Sequence, residues 1–268
     1  MRTQLAPNLC PTLPVEIDRI SLDADRSIFV LRDDLLPAGT KQRAVVPFLR
    51  ELLKKGIREV VYASPFAGFA QVALAYGCQE VGILCHLFCE RDPSQPERRA
   101  HSFTELAESW GGRITLTENL AEAEIAAREL SLSSDAHKIP LGFHCQEFQS
   151  HFYRAVSGVL SEARHIIGHL PTRTWLPVGS GTLTQAFRRA APSMKLCCVD
   201  VHVLPPHDLR LQALRALPGT LHYSAALPFA EAAQHLPPVP SNLHYDAKLW
   251  AVVQAEAEDG DLWWNVAR

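Results

Sequence analysis

The sequence predicts an α/β protein in which mostly parallel sheets are flanked by helices. From residue 27 onward, short runs of β-branched and apolar residues alternate with runs that have helical spacing. The loops between these runs are short, as in repeated strand–helix units. The 268 residues are 47% hydrophobic and 21% charged, which suits one large domain or two modest ones.

The first half of the chain alternates regularly. "SIFVLRD" predicts a strand, and the apolar positions that follow have helical spacing up to Gly56. "REVVYAS" predicts a strand, "GFAQVALAYG" a helix ending at Gly77, "EVGILCHLF" a strand and "ERRAHSFTELAESWGG" a helix. "RITLT" and "LAEAEIAAREL" predict one more strand and helix. The polar stretch "SLSSDAHKIPLG" predicts a loop and a boundary between lobes.

The second half repeats the alternation. "CQEFQSHFYRAVSGVLSEARHII" predicts a long helix, "TWLPVGS" a strand, "TLTQAFRRAA" a helix and "KLCCVDVHV" a strand. "LRLQALRAL" and "TLHYSA" follow, and a last helix begins near "YDAKLWAVVQ". Ligands of such folds bind beyond the carboxyl ends of the strands, so the strand-to-helix loops are where chemistry is expected.

Composition excludes several classes of protein. A net charge of −3 argues against a strong non-specific nucleic-acid binder. No apolar run approaches the roughly 18 residues needed to span a bilayer, and the N-terminus lacks the apolar stretch of a signal peptide. The seven cysteines are scattered without a C-x-x-C pair. We therefore expect a reduced, cytoplasmic protein without a membrane partner.

Three strand-to-helix junctions are unusual. Lys41 follows a Gly-Thr pair, and "YASPFAGFAQ" places Ser64 and Gly68 where a backbone can approach a ligand. The third junction, "PVGSGTLTQAF", joins glycines to a helix start, an arrangement suited to phosphate: Gly179, Ser180, Gly181 and Thr182. Each signal alone is weak, because most Gly-Ser-Gly loops are tight turns and a lysine at a helix start is usually solvated. The third junction is neither a Walker loop nor a nucleophile elbow.

Together the junctions carry a resemblance. "RDDLLPAGTKQRA" resembles the "REDL…GNKxRK" segment of fold type II (tryptophan-synthase-β-like) pyridoxal-phosphate (PLP) enzymes, in the D-cysteine desulfhydrase and aminocyclopropane-carboxylate deaminase branch. "YASPFAGFAQVALAYGCQEVGI" is similar to "SxGNHGxALAxAAxxxG", "LPVGSGTLTQAF" to "xxGSGGTxAGL", and "NLHYDAKLWAVV" to "DPVYxGKAMxGL". The segments stand in family order between about residues 27 and 253. The resemblance implies two lobes, a smaller one of residues 57–133 and a larger one of residues 1–56 plus 134–268.

The resemblance also implies roles. Lys41 would carry PLP as a Schiff base and move the Cα proton, while the four residues of the third junction would cradle the phosphate. Ser64 and Gly68 would face the cofactor ring and the substrate carboxylate. Tyr245 would lie beside the ring, and Asp246 would face the pyridine nitrogen and strengthen the electron sink. A first-turn acid favoured by the helix dipole is the simpler explanation of Asp246.

One departure leaves the reaction open. Phe66 stands where the family has an asparagine that binds the phenolic oxygen of the cofactor, so this side of the pocket is predicted to be apolar. Elimination or deamination of a free amino acid follows from the branch. Similar strings occur in phage-encoded relatives associated with thymine hypermodification, which would decarboxylate an amino acid attached to a DNA base. The third alternative is a non-catalytic protein that retains the fold.

The remaining predictions concern metals and assembly. The i, i+4 spacing of His165 and His169 would place both on one face of a helix, but no third ligand is evident, so no metal site is predicted. Trp263 and Trp264 are expected to pack on the last helix or at a subunit interface. Apolar and aromatic segments near the C-terminus favour a homodimer, located in the cytoplasm, or in the host cytoplasm if the protein is phage-encoded.

Overall fold

Ten strands form two separate sheets in the computed structural model, which describes residues 13–94 and 100–268. The strands are β1 (Ile17–Ser21), β2 (Ser27–Arg32), β3 (Glu59–Ser64), β4 (Leu84–Glu90), β5 (Arg113–Thr117), β6 (His137–Ile139), β7 (Arg173–Val178), β8 (Lys195–Asp200), β9 (Thr220–Ser224) and β10 (Leu262–Asn265). One sheet has the order β1-β2-β10-β7-β8-β9 and the other β5-β4-β3-β6. All pairs are parallel except β1 with β2.

Within residues 13–94 and 100–268, eight α-helices cover these sheets. They are α1 (Gln42–Lys54), α2 (Ala70–Val81), α3 (Ser102–Ser109), α4 (Leu120–Ser133), α5 (Gln146–Ile167), α6 (Thr182–Ala190), α7 (Leu209–Arg215) and α8 (Trp250–Glu256). Three short 3-10 helices lie at Asp33–Leu35, Leu141–Phe143 and Asp246–Leu249. The prediction of an α/β fold with mostly parallel sheets flanked by helices is confirmed.

The central strands are buried on both faces, which explains their continuous apolar sequences. Every residue of β7 is buried, as are four of the six residues of β8. Helices on both sides of a parallel sheet leave no solvated face, so alternation of polar and apolar residues is lost. The edge strands β1 and β9 keep mixed exposure.

Gly77 does not end α2, contrary to the sequence prediction. The helix continues to Val81 and ends at Gly82, which has the left-handed φ of 78° that favours glycine at this position. Gly77 lies inside the helix. A side chain is excluded there because a Cβ would stand 2.9 Å from side-chain carbons of Val45 and Leu49. The glycine thus permits close packing of α2 on α1.

Three strands escaped prediction. β1 precedes the first predicted strand, and β6 lies inside "SLSSDAHKIPLG", which was predicted to be a loop. β10 is the third and occupies the middle of the larger sheet. The lobe bounds at residues 57 and 133 remain a prediction, and β6, which pairs with β3, lies beyond the second bound. The start of the predicted helix at residue 97 and the N-terminal segment of residues 1–12 lie outside the described residues.

Trp263 and Trp264 are core residues of β10. Trp263 stacks on Trp250 of α8 with ring centroids 5.8 Å apart, so its predicted contact with the last helix is confirmed. Trp264 packs edge-on against Phe187 at 4.9 Å. Both side chains are fully buried within one chain, so neither can serve as an exposed interface residue. The homodimer stays a prediction without their support.

Candidate functional site

A solvent-connected cavity lies beyond the carboxyl ends of strands from both sheets. Loops after β3, β6, β7 and β10 contribute to its walls, in agreement with the expected location of ligands in α/β folds. Among the residues predicted for the site, the cavity is lined by Lys41, Gly68, Gly179, Ser180 and Tyr245. The other predicted residues, Ser64, Phe66, Gly181, Thr182 and Asp246, do not line it.

Lys41 opens α1 from a tightly held turn. Gly39 has a φ of 62°, and a Cβ there would lie 2.6 Å from the carbonyl oxygen of Val266. The same carbonyl accepts a hydrogen bond from the backbone of Thr40 at 3.0 Å. Lys41 itself has helical backbone angles and a half-buried side chain. Burial lowers the pKa of Lys41 to about 8, although the charge of Asp246 opposes this shift.

A buried hydrogen-bond network fixes the residues before Lys41. The indole Nε1 of Trp264 donates to Asp33 Oδ2 at 2.9 Å and to Thr40 Oγ1 at 2.8 Å. The carboxylate of Asp33 also accepts hydrogen bonds from the guanidinium of Arg43, and it has no exposed surface. The turn that carries Lys41 is therefore joined to the central strand β10.

The loop of residues 179–182 has the features of an anion site. We refer to these four residues as the anion loop. α6 begins at its end without a side-chain cap, so the backbone N–H groups of its first turn are available to a ligand. Gly181 has a φ of 77°, and a Cβ there would overlap Leu214 of α7. A Cβ on Gly179 would lie 2.8 Å from the hydroxyl of Tyr245. At both positions the neighbouring side chains leave no room for a Cβ, so only glycine fits.

Two hydroxyls of the anion loop form hydrogen bonds with each other and with residues 140–145, the segment between β6 and α5 that we call the chain between the sheets. Ser180 Oγ and Thr182 Oγ1 lie 2.9 Å apart, and Thr182 Oγ1 donates to the carbonyl of Gly142 at 2.8 Å. Gly142 also lines the cavity, with a φ of 70°. The sequence analysis missed Gly142, although "KIPLG" carries a Pro and a Gly as loop signals.

Two tyrosines line the cavity, and the hydroxyl of each accepts a hydrogen bond from the backbone N–H of a glycine. Tyr62 Oη accepts the backbone N–H of Gly142 at 3.2 Å, and Tyr245 Oη accepts that of Gly179 at 2.9 Å. Burial raises the pKa of both phenols well above the ordinary value. Both therefore remain protonated at neutral pH and can donate a hydrogen bond. Tyr62 was not predicted, because its position in "REVVYAS" shows only that it belongs to a strand.

Asp246 is fully buried beside the cavity. Its Oδ1 accepts the backbone N–H of Val266 at 2.8 Å, whereas its Oδ2 has no hydrogen-bond partner within the described residues. Burial raises the pKa of Asp246 well above the usual range, against the opposing effect of backbone hydrogen bonds. A fully buried carboxyl oxygen without a partner is costly, and a ligand group that bonded Oδ2 would remove this cost.

Phe66 lies behind the cavity wall. Its side chain is 1% exposed and its ring lies 5.1 to 5.6 Å from the rings of His101, Phe229 and His244. Phe229, in the loop after β9, contacts Phe66 and lines the cavity in its place. Ser64 is also buried, and its hydroxyl donates to the carbonyl of Pro65 at 3.0 Å. No sequence motif pointed to Phe229, which lies in an irregular segment.

Neither a candidate metal site nor a helix able to span a membrane occurs in the described residues. Residues 13–94 and 100–268 contain no group of three or more His, Cys, Asp or Glu side chains placed to hold a metal ion. In the same residues every helix is too short or too polar to cross a bilayer.

Comparison with known structures shows which fold this is. Diaminopropionate ammonia lyase from Escherichia coli, solved with an aminoacrylate-PLP azomethine intermediate, superposes with a TM-score of 0.73 at 12% identity, covering 97% of this chain and 85% of that chain. An aminocyclopropane-carboxylate (ACC) deaminase homologue gives 0.73 at 14% identity, with 90% and 84% covered. A threonine deaminase from T.th. gives 0.67 at 16% identity, with 90% and 87% covered. The fold is that of fold type II PLP enzymes.

The predicted architecture is thereby confirmed. The sequence matches no protein-family model and no curated protein. At identities of 12–16% the likeness establishes the fold type II architecture, while the roles of individual residues depend on the geometry of the cavity.

Proposed function

We propose that the protein is a PLP-dependent lyase that acts at the Cα of an amino-acid group and holds its cofactor through Lys41. The observation that carries the proposal is a half-buried lysine with a pKa of about 8 in the cavity that the anion loop also lines. An ordinary surface lysine is almost entirely protonated at neutral pH, whereas a pKa of about 8 leaves roughly a tenth of Lys41 as neutral amine at pH 7. A neutral amine is what a lysine needs in order to react with an aldehyde.

The residues present fit PLP at three points. The uncapped N-terminus of α6, with Gly179 and Gly181 before it, would hold the phosphate. Lys41 would hold the aldehyde carbon. Asp246 would face the pyridine nitrogen from behind its hydrogen-bond partner Val266, which lines the cavity, since its Oδ2 lacks a partner and its raised pKa lets a proton be shared there.

Bound PLP supplies an electron sink that stabilises negative charge at the substrate Cα. The Lys41 amine would accept and return the Cα proton, because its lowered pKa makes it a base near neutral pH. Tyr245 would donate a hydrogen bond to a ligand oxygen from a fixed position. Phe69, Val203 and Phe229 would exclude water from the apolar side of the cavity.

Elimination or deamination of a free amino acid is the first choice of reaction. By their names, two structural neighbours are an ammonia lyase and a threonine deaminase, which supports loss of ammonia. The apolar wall at Phe229 supports a second candidate, decarboxylation of an amino acid attached to thymine in phage DNA, because a carboxylate loses charge readily beside apolar groups. Phe66, which was predicted to make this side of the pocket apolar, does not line the cavity and contacts Phe229.

Cofactor attachment is tested by reduction. Purified protein incubated with PLP should show the visible absorption of lysine-bound cofactor, and borohydride should fix the cofactor mass on Lys41. Lys248 is a matched control, since burial also lowers its pKa to about 8, but its Nζ bonds the carbonyls of Leu227 and Pro228. Lys41→Ala should abolish labelling, whereas Lys248→Met should leave it on Lys41. A protein that takes up no PLP would indicate the non-catalytic alternative.

The reaction is tested by its products. The protein is incubated with free amino acids and, separately, with DNA that carries aminoacyl-modified thymine, and ammonia, keto acid and CO2 are measured. Ammonia with keto acid from a free amino acid would establish the lyase, and CO2 from modified DNA alone would establish the decarboxylase.

We also propose that the protein is a homodimer in the cytoplasm. A monomer in gel filtration at micromolar concentration would contradict the dimer.

A further inference from the structure

A chain of hydrogen bonds connects the smaller sheet to the anion loop. It starts at Tyr62 in β3, whose Oη accepts the N–H of Gly142 at 3.2 Å. The carbonyl of Gly142 accepts from Thr182 Oγ1 at 2.8 Å, and Thr182 Oγ1 lies 2.9 Å from Ser180 Oγ. Tyr62, Gly142, Ser180 and Thr182 are all buried, so water competes little for these bonds.

The direction of the hydroxyl protons follows from this chain. Thr182 has one hydroxyl proton and gives it to the carbonyl of Gly142. The contact between the two hydroxyls must then use the proton of Ser180, with Thr182 as acceptor. The Gly142 carbonyl therefore fixes the orientation of both hydroxyls and, through them, the anion loop, whose donors to an anion are the uncapped N–H groups at the start of α6.

Gly142 also touches the anion loop sterically. A Cβ on Gly142 would overlap the side chain of Ser180, so the backbone of the chain between the sheets approaches that side chain directly. Gly142 has a φ of 70° and the next residue, Phe143, has a φ of 62°, which is uncommon for a residue other than glycine. Two successive left-handed residues need support from their surroundings, and Tyr62 Oη is the hydrogen-bond partner of the Gly142 N–H.

We propose that Tyr62 is a positioning residue for the anion loop, acting through Gly142 on the hydroxyls of Thr182 and Ser180. It would thereby set the preference of the site for a phosphorylated ligand over the same ligand without its phosphate. This inference rests on the proposed function, because PLP supplies the phosphate.

The test compares the dissociation constants of PLP and of pyridoxal, which lacks the phosphate, measured on the full chain by quenching of tryptophan fluorescence. Tyr62→Phe should lower the preference for PLP about tenfold, as expected for loss of one buried hydrogen bond, and leave pyridoxal binding within about twofold. Tyr153→Phe on α5, where the ring packs on Arg189 instead of lining the cavity, is the matched control and should change neither constant.

A second substitution tests the chain itself. Thr182→Val breaks the bond to Gly142 and should lower the preference for PLP by a similar factor. Since both substitutions interrupt one chain, the double variant should be no more than about twofold worse than the weaker-binding single variant. A PLP preference unchanged by Tyr62→Phe, or effects of the two substitutions that multiply, would overturn the inference while leaving the proposed function intact. A wild-type chain that binds neither ligand would contradict the proposed function, and the inference with it.

Discussion

Adjacent tryptophans in β10 provide a stability test of the network beside Lys41. Trp263 and Trp264 are both fully buried, and each ring packs against one aromatic partner, Trp250 or Phe187. Their indole N–H groups differ: that of Trp264 donates to Asp33 and Thr40, whereas that of Trp263 has no partner in the described residues. Replacing each by phenylalanine removes the same atoms from neighbouring positions of one strand.

The expected difference follows from the hydrogen bonds. Loss of indole volume contributes to both variants, so this contribution largely cancels in the comparison. Trp264→Phe also removes a hydrogen bond to a charged group, which contributes about 1.5–3 kcal/mol to stability. Trp263→Phe removes a buried N–H whose missing partner costs about 1–3 kcal/mol, so part of the packing loss is offset. We expect Trp264→Phe to lower the free energy of unfolding by at least about 2 kcal/mol more than Trp263→Phe.

Urea unfolding followed by far-UV circular dichroism measures both free energies without depending on tryptophan fluorescence. The dependence of the free energy on urea concentration should be the same for the two variants, so that midpoints report stability directly. Equal free energies of unfolding, within about 0.5 kcal/mol, would show that the bonds of Trp264 to Asp33 and Thr40 contribute no net stability. A larger loss for Trp263→Phe would refute the reasoning outright.

Further predictions concern two glycines and two ionisable groups. Gly77→Ala should lower the free energy of unfolding by about 1 kcal/mol, because the added Cβ meets side chains of α1. Gly158→Ala, on the exposed face of α5, should raise the free energy of unfolding by about 0.5–1 kcal/mol. Thermal unfolding measures both changes. Competitive labelling of amines, read by mass spectrometry, should show Lys41 reacting with a midpoint near pH 8. Lys55, whose pKa is raised by Glu51, is the control. A single midpoint shared by the two lysines would contradict burial as the cause of the low pKa of Lys41. The folded-state pKa of Asp246 lies above its unfolded value of 3.8. The wild type therefore loses stability as pH rises from 3.8 towards the folded-state pKa. Urea unfolding at pH 4 and pH 8 should therefore show Asp246→Asn gaining stability relative to wild type, and a constant difference would argue against the raised pKa.

Much of the fold is encoded in local patterns that the sequence displays. Strands such as β7 and β8 are continuous apolar runs, because helices cover both faces of the sheet. Their bounds, and those of α5 and α6, were predicted to within a few residues. β6 escaped prediction because it has only three residues, and tertiary pairing with β3 creates it. A local pattern cannot reveal a strand of that length.

Predictability of the candidate site follows the same physics. Lys41 and the anion loop could be found because a helix start and a glycine-rich turn have sequence signatures. Asp246 was found only through the resemblance to a family. Phe229 and Tyr62 could not be found, since one lies in an irregular segment and the other in an ordinary strand, and only the fold directs their rings into the cavity. Phe66 was placed at the cavity by the alignment of a motif, but packing puts Phe229 in front of it.

The order of strands in the larger sheet has a consequence for synthesis of the protein. β10 lies between β2 and β7, so Leu262 pairs with Phe29, far earlier in the sequence. During translation the larger sheet cannot close until its middle strand has left the ribosome, and β2 and β7 must wait with unpaired edges. The smaller sheet draws all four strands from residues 59–139 and can form earlier. We expect a nascent chain arrested before β10 to protect the smaller sheet from proteolysis while the larger sheet remains susceptible.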